Sequence, residues 1–400
     1  MRRAWPNKRI ADVCQVNPRE GKVGLPPAES EVSFVPMSAI DEVAGAIHAA
    51  EVRRCGDVSK GYTYFRENDI LFAKITPCMQ NGKVAIARKL LGGFGFGSTE
   101  FHVLRPGPEV LPEWIFAYVR QPSFKAAAEA NFTGTAGQQR VPISFMSGSQ
   151  IPVPPIPEQK RIVAILDAAE ELRRLREQTD QRTDDLLPAL FHEMFGDPAT
   201  NPKGWPELSL KEICDVKGGK RLPKGDEYAN EPTPFRYIRV SDFSGGMIDE
   251  SRLLYLKADT QYQISRYTVG GGDIIISIAG TIGLTAVVPL TLSGANLTEN
   301  AAKLVAKSVG VYDPVFLCET LRTPHAQSQI GSHTGQVTIG KLALFRIEKL
   351  RIILPPLHLQ RDFAARVAAI RAMETSQAAS RRRLDDLFQS FLHRAFREEL

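Results

Sequence analysis

Four hundred residues make room for two or three domains, and a hydrophobic content of 43% is enough to fill real cores. A net charge of +5 leans toward a polyanionic partner. No apolar run approaches the ~20 residues that span a bilayer, and the basic opening MRRAWPNKRIADVC lacks the apolar stretch of a signal peptide. Cys14, Cys55, Cys78, Cys214 and Cys318 are scattered without a Cys-x-x-Cys pair. That argues against zinc and against a disulfide framework, and the expected setting is the reducing cytoplasm.

Along the chain, 69–75 and 83–87 predict strands around a turn at Asn81-Gly82, and 112–120 predicts a helix. Pro154-Pro155-Ile156-Pro157 then opens a long helix, since proline is tolerated in a first turn. From Glu158 to Phe195 its only internal breaker is Pro188, which predicts a kink, and Gly196 supplies the stop. A helix of that length reaches roughly 57 Å. The segment 197–204 reads as a linker.

Then the chain repeats itself. Trp5-Pro6 returns as Trp205-Pro206, Cys14 as Cys214, Thr99-Glu100 as Thr298-Glu299, Gln159 as Gln360, and Asp184-Asp185-Leu186 as Asp385-Asp386-Leu387. The offset stays near ~200 residues, far longer than a solenoid unit, so each copy is domain-sized. In the second copy 273–279 and 284–288 predict the strand pair, 314–321 the helix, and Leu357 onward the second long helix. The expected fold is α+β. Two tandem domains (1–156 and 205–356), each with a curved, largely antiparallel sheet, are separated by two long helices (157–196 and 357–400), joined by the linker 197–204, as a pseudo-twofold repeat.

Both helices carry a heptad-like stripe. Ile162, Ile165, Ala169 and Leu172 lead to Leu186 and Leu190 in the first, and Phe363, Val367 and Ile370 lead to Leu384, Leu387 and Phe391 in the second. Each stripe is polar at its centre, around Thr179 and Thr183 in one and Gln377 and Ser380 in the other. Such helices pair self-consistently as an antiparallel coiled coil, centre over centre.

A search for catalytic and metal motifs finds none that stands. Gly335-Gln-Val-Thr-Ile-Gly340-Lys341 ends in Leu342 where a phosphate loop needs Ser or Thr. No dinucleotide fingerprint, metal-ligand spacing or nucleophile elbow occurs. What remains is a binder. Lys74, Thr76, Gln80, Asn81, Lys83, Thr133, Thr135, Gln138, Gln139 and Arg140 lie on polar, glycine-rich loops of the first copy. Ser277, Thr281, His333, Thr334, Gln336 and Thr338 lie on those of the second. These side chains suit phosphates and base edges in a DNA major groove.

At Pro152-Val-Pro-Pro-Ile-Pro-Glu-Gln-Lys-Arg-Ile-Val163, where a proline-rich strand end leads into the long helix, the chain resembles the specificity subunits of type I restriction-modification systems. The resemblance covers essentially the whole sequence, in the order recognition domain, helix, recognition domain, helix. It implies two target-recognition domains, each reading one half of a split double-stranded DNA target. The helices would dock two DNA-methyltransferase subunits, with Glu158, Gln159, Arg161, Gln360 and Arg361 as candidate docking residues, and restriction/motor subunits would join that core. It also implies that S-adenosylmethionine and ATP belong to partner subunits and that this chain is not itself an enzyme. One departure is Leu359, where the first copy has Glu158. A stand-alone duplicated DNA-binding regulator is the alternative reading.

Overall fold

The predicted strands form where the apolar runs are unbroken. In the computed structural model, which describes residues 5–19, 24–135, 137–334, 341–397 and 399–400, Ile70–Ala73 is buried at every position. That is the mark of a strand covered on both faces. It pairs antiparallel with Val84–Ile86 and with Phe101–Pro106, and the sheet ends at Cys14–Val16. The predicted tight turn is instead a longer loop with a cis Thr76–Pro77 bond, and Gly82 (φ 83°) closes it.

One curved sheet was expected per domain; the first domain has a second four-stranded sheet. Its order is Glu51–Arg54, Glu31–Val35, Phe94–Gly97 and Thr63–Arg66, with the central pair parallel. Val32, Phe34, Cys55, Val58 and Phe96 give this sheet a small core of its own, which is why it separates from the first. The domain's entry strand, Asn7–Arg9, pairs with its exit strand, Gln150–Pro152.

Contacts divide the chain into two compact units, 1–177 with 379–400, and 178–378. The divide falls inside both long helices, not at the predicted domain boundaries. In the second unit the same plan returns. Cys214–Gly218, Ala301–Ala306, Ile274–Ser277 and Thr285–Val287 form the antiparallel sheet. Leu254–Tyr255, Arg236–Ile238 and Asn296–Leu297 form the second sheet, again with one parallel pair, and Glu207–Ser209 pairs with Arg351–Ile353. Cys14 and Cys214 are buried at matching places, and burial pushes each thiol up to about 12.

The first long helix runs Ile156–Asp184, breaks at Asp185 and resumes as Leu186–Phe195. Pro188 explains the break, because its nitrogen has no hydrogen to give the Asp184 carbonyl. Gly196 (φ 82°) then donates its N–H to the His192 carbonyl at 2.8 Å and ends the helix. The predicted linker is a built corner: Lys203 Nζ donates to the Glu193 and Met194 carbonyls, and Asn201 both accepts from and donates to the Trp205 backbone. The second long helix, Leu357–Ala395, is unbroken.

In each unit the two helices pair antiparallel. In the first, Arg161 donates to the Leu400 carbonyl and Arg173 Nε pairs with Asp385 Oδ1 at 2.7 Å. In the second, Gln377 Nε2 donates to Thr183 Oγ1 at 3.0 Å, while Phe191 packs on Phe363. The Thr183–Gln377 bond is the polar centre of the stripes. The stripe is only partly as predicted: Phe363 and Val367 are buried in the second helix, and the first differs toward its centre. Ile162, Val163, Leu166 and Ala169 are buried, whereas Leu172 (52%) and Leu186 (40%) are exposed. The helix turns its buried face toward the first α+β domain, and the two share one core with Trp114, Phe388 and Leu392.

Candidate nucleic-acid interface

Three segments of the first unit converge on one loop cluster. Thr76 N–H donates to the Gln139 carbonyl at 3.0 Å, and Gln139 N–H donates back to Thr76 Oγ1 at 3.2 Å. Val141 N–H donates to the Lys74 carbonyl, and Thr133 and Arg140 bridge across their hairpin. Lys74 Nζ donates to the Thr99 carbonyl, which ties in the turn at 98–100. Around this frame Gln80, Asn81, Thr133, Thr135 and Gln138 are exposed. Arg140 is half-exposed and makes a two-point pair with Glu100. That pair holds the Glu100 carboxyl below its ordinary range and raises Arg140.

Other predicted contacts have internal employment. Lys83 Nζ donates to the Met37 and Ile40 carbonyls, so it braces the loop rather than facing outward. Ser277 is fully buried; its hydroxyl donates to the Thr281 carbonyl at 2.6 Å and accepts from Leu284 N–H at 2.8 Å. Ser277 therefore shapes the turn that leaves Thr281 exposed. His333 and Thr334 close the helix Pro324–Thr334. Their side chains, with Gln336, Thr338 and the stretch 335–340, lie outside the described residues.

The candidate docking residues need the same correction. Gln159 is fully buried: Oε1 accepts from Leu111 N–H at 2.9 Å, and Nε2 donates to the Glu109 and Pro154 carbonyls at 2.8 Å. Gln360 repeats this with Asp313 N–H at 2.9 Å and the Pro355 carbonyl at 2.6 Å. Both glutamines fasten a helix start to its own domain and offer nothing to a partner. Arg161 and Arg361 are exposed, and Glu158 pairs with Arg161. In the second copy Leu359 and Asp362 stand at the places of Glu158 and Arg161, so the surface pair is absent while the clamp is kept.

Two features escaped the sequence reading. Lys217-Gly-Gly-Lys220-Arg221-Leu-Pro-Lys224 begins at the end of the strand Cys214–Gly218, and Arg221 Nε lies 3.3 Å from Glu299. A side chain on Gly219 would fall 2.1 Å from the Thr298 carbonyl, so only glycine lets this basic segment lie against the 298–300 turn. The legible signal was four cations within eight residues. The second feature is an apolar groove of about 330 Å³ on the first unit's helix pair, walled by Ile165, Leu172, Leu384, Leu387 and Phe391. Leu172 and Leu387 are exposed there, and at the same offset in the second unit Met373 (41%) and Leu186 are exposed too.

This duplicated plan matches a known family model, the type I restriction modification DNA specificity domain, at residues 3–182 and again at 202–377. The chain belongs to that family. The type I restriction enzyme EcoEI specificity subunit of Escherichia coli is 39% identical over 186 residues, 46% of this chain and 30% of that protein. The EcoBI specificity subunit of the same organism is 25% identical over 319 residues, 71% of this chain and 65% of that one. The chain thus matches less than a third of the length of its EcoEI relative. Two solved structures share the fold. One, from work on complex assembly and conformational transition of the type I R-M system, has TM-score 0.66 at 24% identity and covers 99% of this chain and 98% of its own. The other, a type I system S subunit from M. genitalium, has TM-score 0.55 at 17% identity and covers 98% and 96%. The predicted two tandem recognition domains and long helices are thereby found. Among the described residues no helix is long and apolar enough to cross a membrane, and no group of His, Cys, Asp and Glu could hold a metal ion.

Proposed function

We propose that this chain is the non-catalytic DNA-specificity subunit of a type I restriction-modification complex in the cytoplasm. Each recognition domain reads one half of a bipartite duplex target. The observation that carries the reading is the specificity domain occurring twice, once on each unit. In the first unit it carries a frame of fixed backbone with Thr, Gln and Arg side chains outermost, the groups that contact phosphates and base edges. The two domains differ in their loops, so the two half-sites differ in sequence.

The helices dock two methyltransferase subunits, and restriction/motor subunits join them. The recurrence of exposed apolar residues at matching helix positions supports two equivalent docking faces, since scattered single residues would not repeat. S-adenosylmethionine and ATP are held by those partners. Adenine methylation is the expected output. The test is single-molecule methylation sequencing of the host genome with and without this gene. Loss of methyl-adenine from one split motif on deletion is the expected result; an unchanged methylation pattern with an expressed methyltransferase partner would refute the specificity role.

A further inference from the structure

Glu100 and Glu299 lie in the matching turn of the two copies, one position apart: Glu100 stands directly before Phe101–Pro106, while Asn300 separates Glu299 from Ala301–Ala306. Each holds an arginine, but the arginines come from different segments. Arg140 belongs to the hairpin at 133–140, and Arg221 to the stretch after Cys214–Gly218. Arg140 donates from Nε and Nη2 to the two Glu100 oxygens at 2.9 and 2.8 Å, and from Nη1 to the Gln138 carbonyl at 3.0 Å. A guanidinium has five N–H groups. Three are spent, which leaves one on each terminal nitrogen of a side chain that is 40% exposed. Arg221 is 75% exposed, and the carboxylate facing it is steadied by Thr298, whose hydroxyl donates to Glu299 Oε2 at 3.1 Å.

We propose that Arg140 and Arg221 each read a guanine in the half-site of their own domain, with Glu100 and Glu299 as positioning residues. This rests on the function proposed above. An exposed ion pair adds little to stability, so stability does not explain why the matching turn of each copy carries a carboxylate beside an arginine from a different segment. Charge selects the ligand. A neighbouring carboxylate repels phosphate, whereas the guanine edge is neutral and presents two acceptors, O6 and N7, to a planar fork. Supplying the fork from two different loops also places the guanine differently in each half-site, which fits two domains with unlike targets.

The test uses the chain assembled with its methyltransferase subunits and duplexes carrying the split motif found by methylation sequencing. Guanines are replaced one at a time by 7-deazaguanine, which removes N7. The unaltered complex is expected to lose roughly 10-fold in affinity at one guanine of each half. Arg140→Ala erases that sensitivity in one half only, and Arg221→Ala in the other only. Arg140→Lys, which keeps the charge and loses the fork, behaves like Arg140→Ala while the salt dependence stays unchanged. Glu100→Gln reduces the sensitivity in the Arg140 half and Glu100→Asp restores part of it, at unchanged melting temperature. Two results overturn the proposal. One is uniform weakening on all duplexes with a salt slope shallower by about 0.9, the mark of a lost phosphate contact. The other is no change in either arginine variant. If the unaltered complex recognises no split duplex, the proposed function itself falls, and this inference with it.

Discussion

His102 is buried on the central strand of the first domain, between two partners that fix its charge. Its Nε2 lies 2.8 Å from the Val141 carbonyl, which can only accept, so Nε2 carries the proton. Nδ1 lies 3.1 Å from the Asn17 amide nitrogen, which can only donate, so Nδ1 stays bare. Burial lowers the pKa further. The unfolded chain therefore binds this proton more readily than the folded one, and stability present above about pH 6.5 is lost as the pH falls below it. Denaturant titrations across that range should show a decline. His102→Gln, which can donate to one partner and accept from the other without titrating, should flatten it. A pH slope unchanged in the variant would mean other groups dominate. At this scale the sequence was only half legible. It identified the residue types of the loops but not their employment. Lys83, Ser277, Gln159 and Gln360 look like the surface contacts around them. Lys83, Gln159 and Gln360 differ in having backbone partners that are distant in sequence, such as Met37 for Lys83 and Glu109 for Gln159, whereas Ser277 is buried within its own turn.

At the scale of elements the repeat made most of the architecture readable. Unbroken apolar runs gave the central strands, and prolines and glycines gave the helix starts, the break and the stop. The second sheet of each domain was not legible, because its short strands alternate too briefly to announce themselves. Nor was the way each domain sits on its own helix. In the second unit Glu319 is 8% exposed and pairs with Arg371 at 2.6 Å and with Arg322 at 3.1 Å. Gly246 makes room, since a side chain there would fall 2.6 Å from Arg371. Burial pushes the Glu319 carboxyl up, against the pull of both arginines. In the first unit the polarity is reversed. Ala117 and Glu170 stand at the places of Glu319 and Arg371, and Arg120 donates to the Val43 carbonyl with Glu170 as the charge that most favours its protonated form. Removing one partner of a buried pair is costly, so Arg371→Ala is expected to destabilise the second unit by about 3 kcal/mol. The double variant Glu319→Ala/Arg371→Ala should recover part of that in urea unfolding. Equal stability of the wild type and the single variant would show that the pair contributes nothing.

For the whole molecule, the proposed function makes the long helices the spacer between the two half-sites. Deleting one heptad around Arg176–Arg182 is expected to change the unspecified gap between the half-sites and leave both half-sites as they were. Methylation sequencing of a host carrying the deletion reads this directly, and an unchanged gap would reject the helices as the spacer. The first unit also has a temporal consequence. Trp114 packs at a tilt on Phe396, ring centroids 4.4 Å apart, and Phe388, Leu392 and Ala395 complete the core begun by Ile162 and Leu166. Ribosomal synthesis delivers residues in order, so this core waits for the entire second domain and most of its helix to be made before it can close. During that interval the nascent first domain exposes the apolar seat reserved for 379–400. A chain that stops within the second copy therefore leaves the core of the first unclosed.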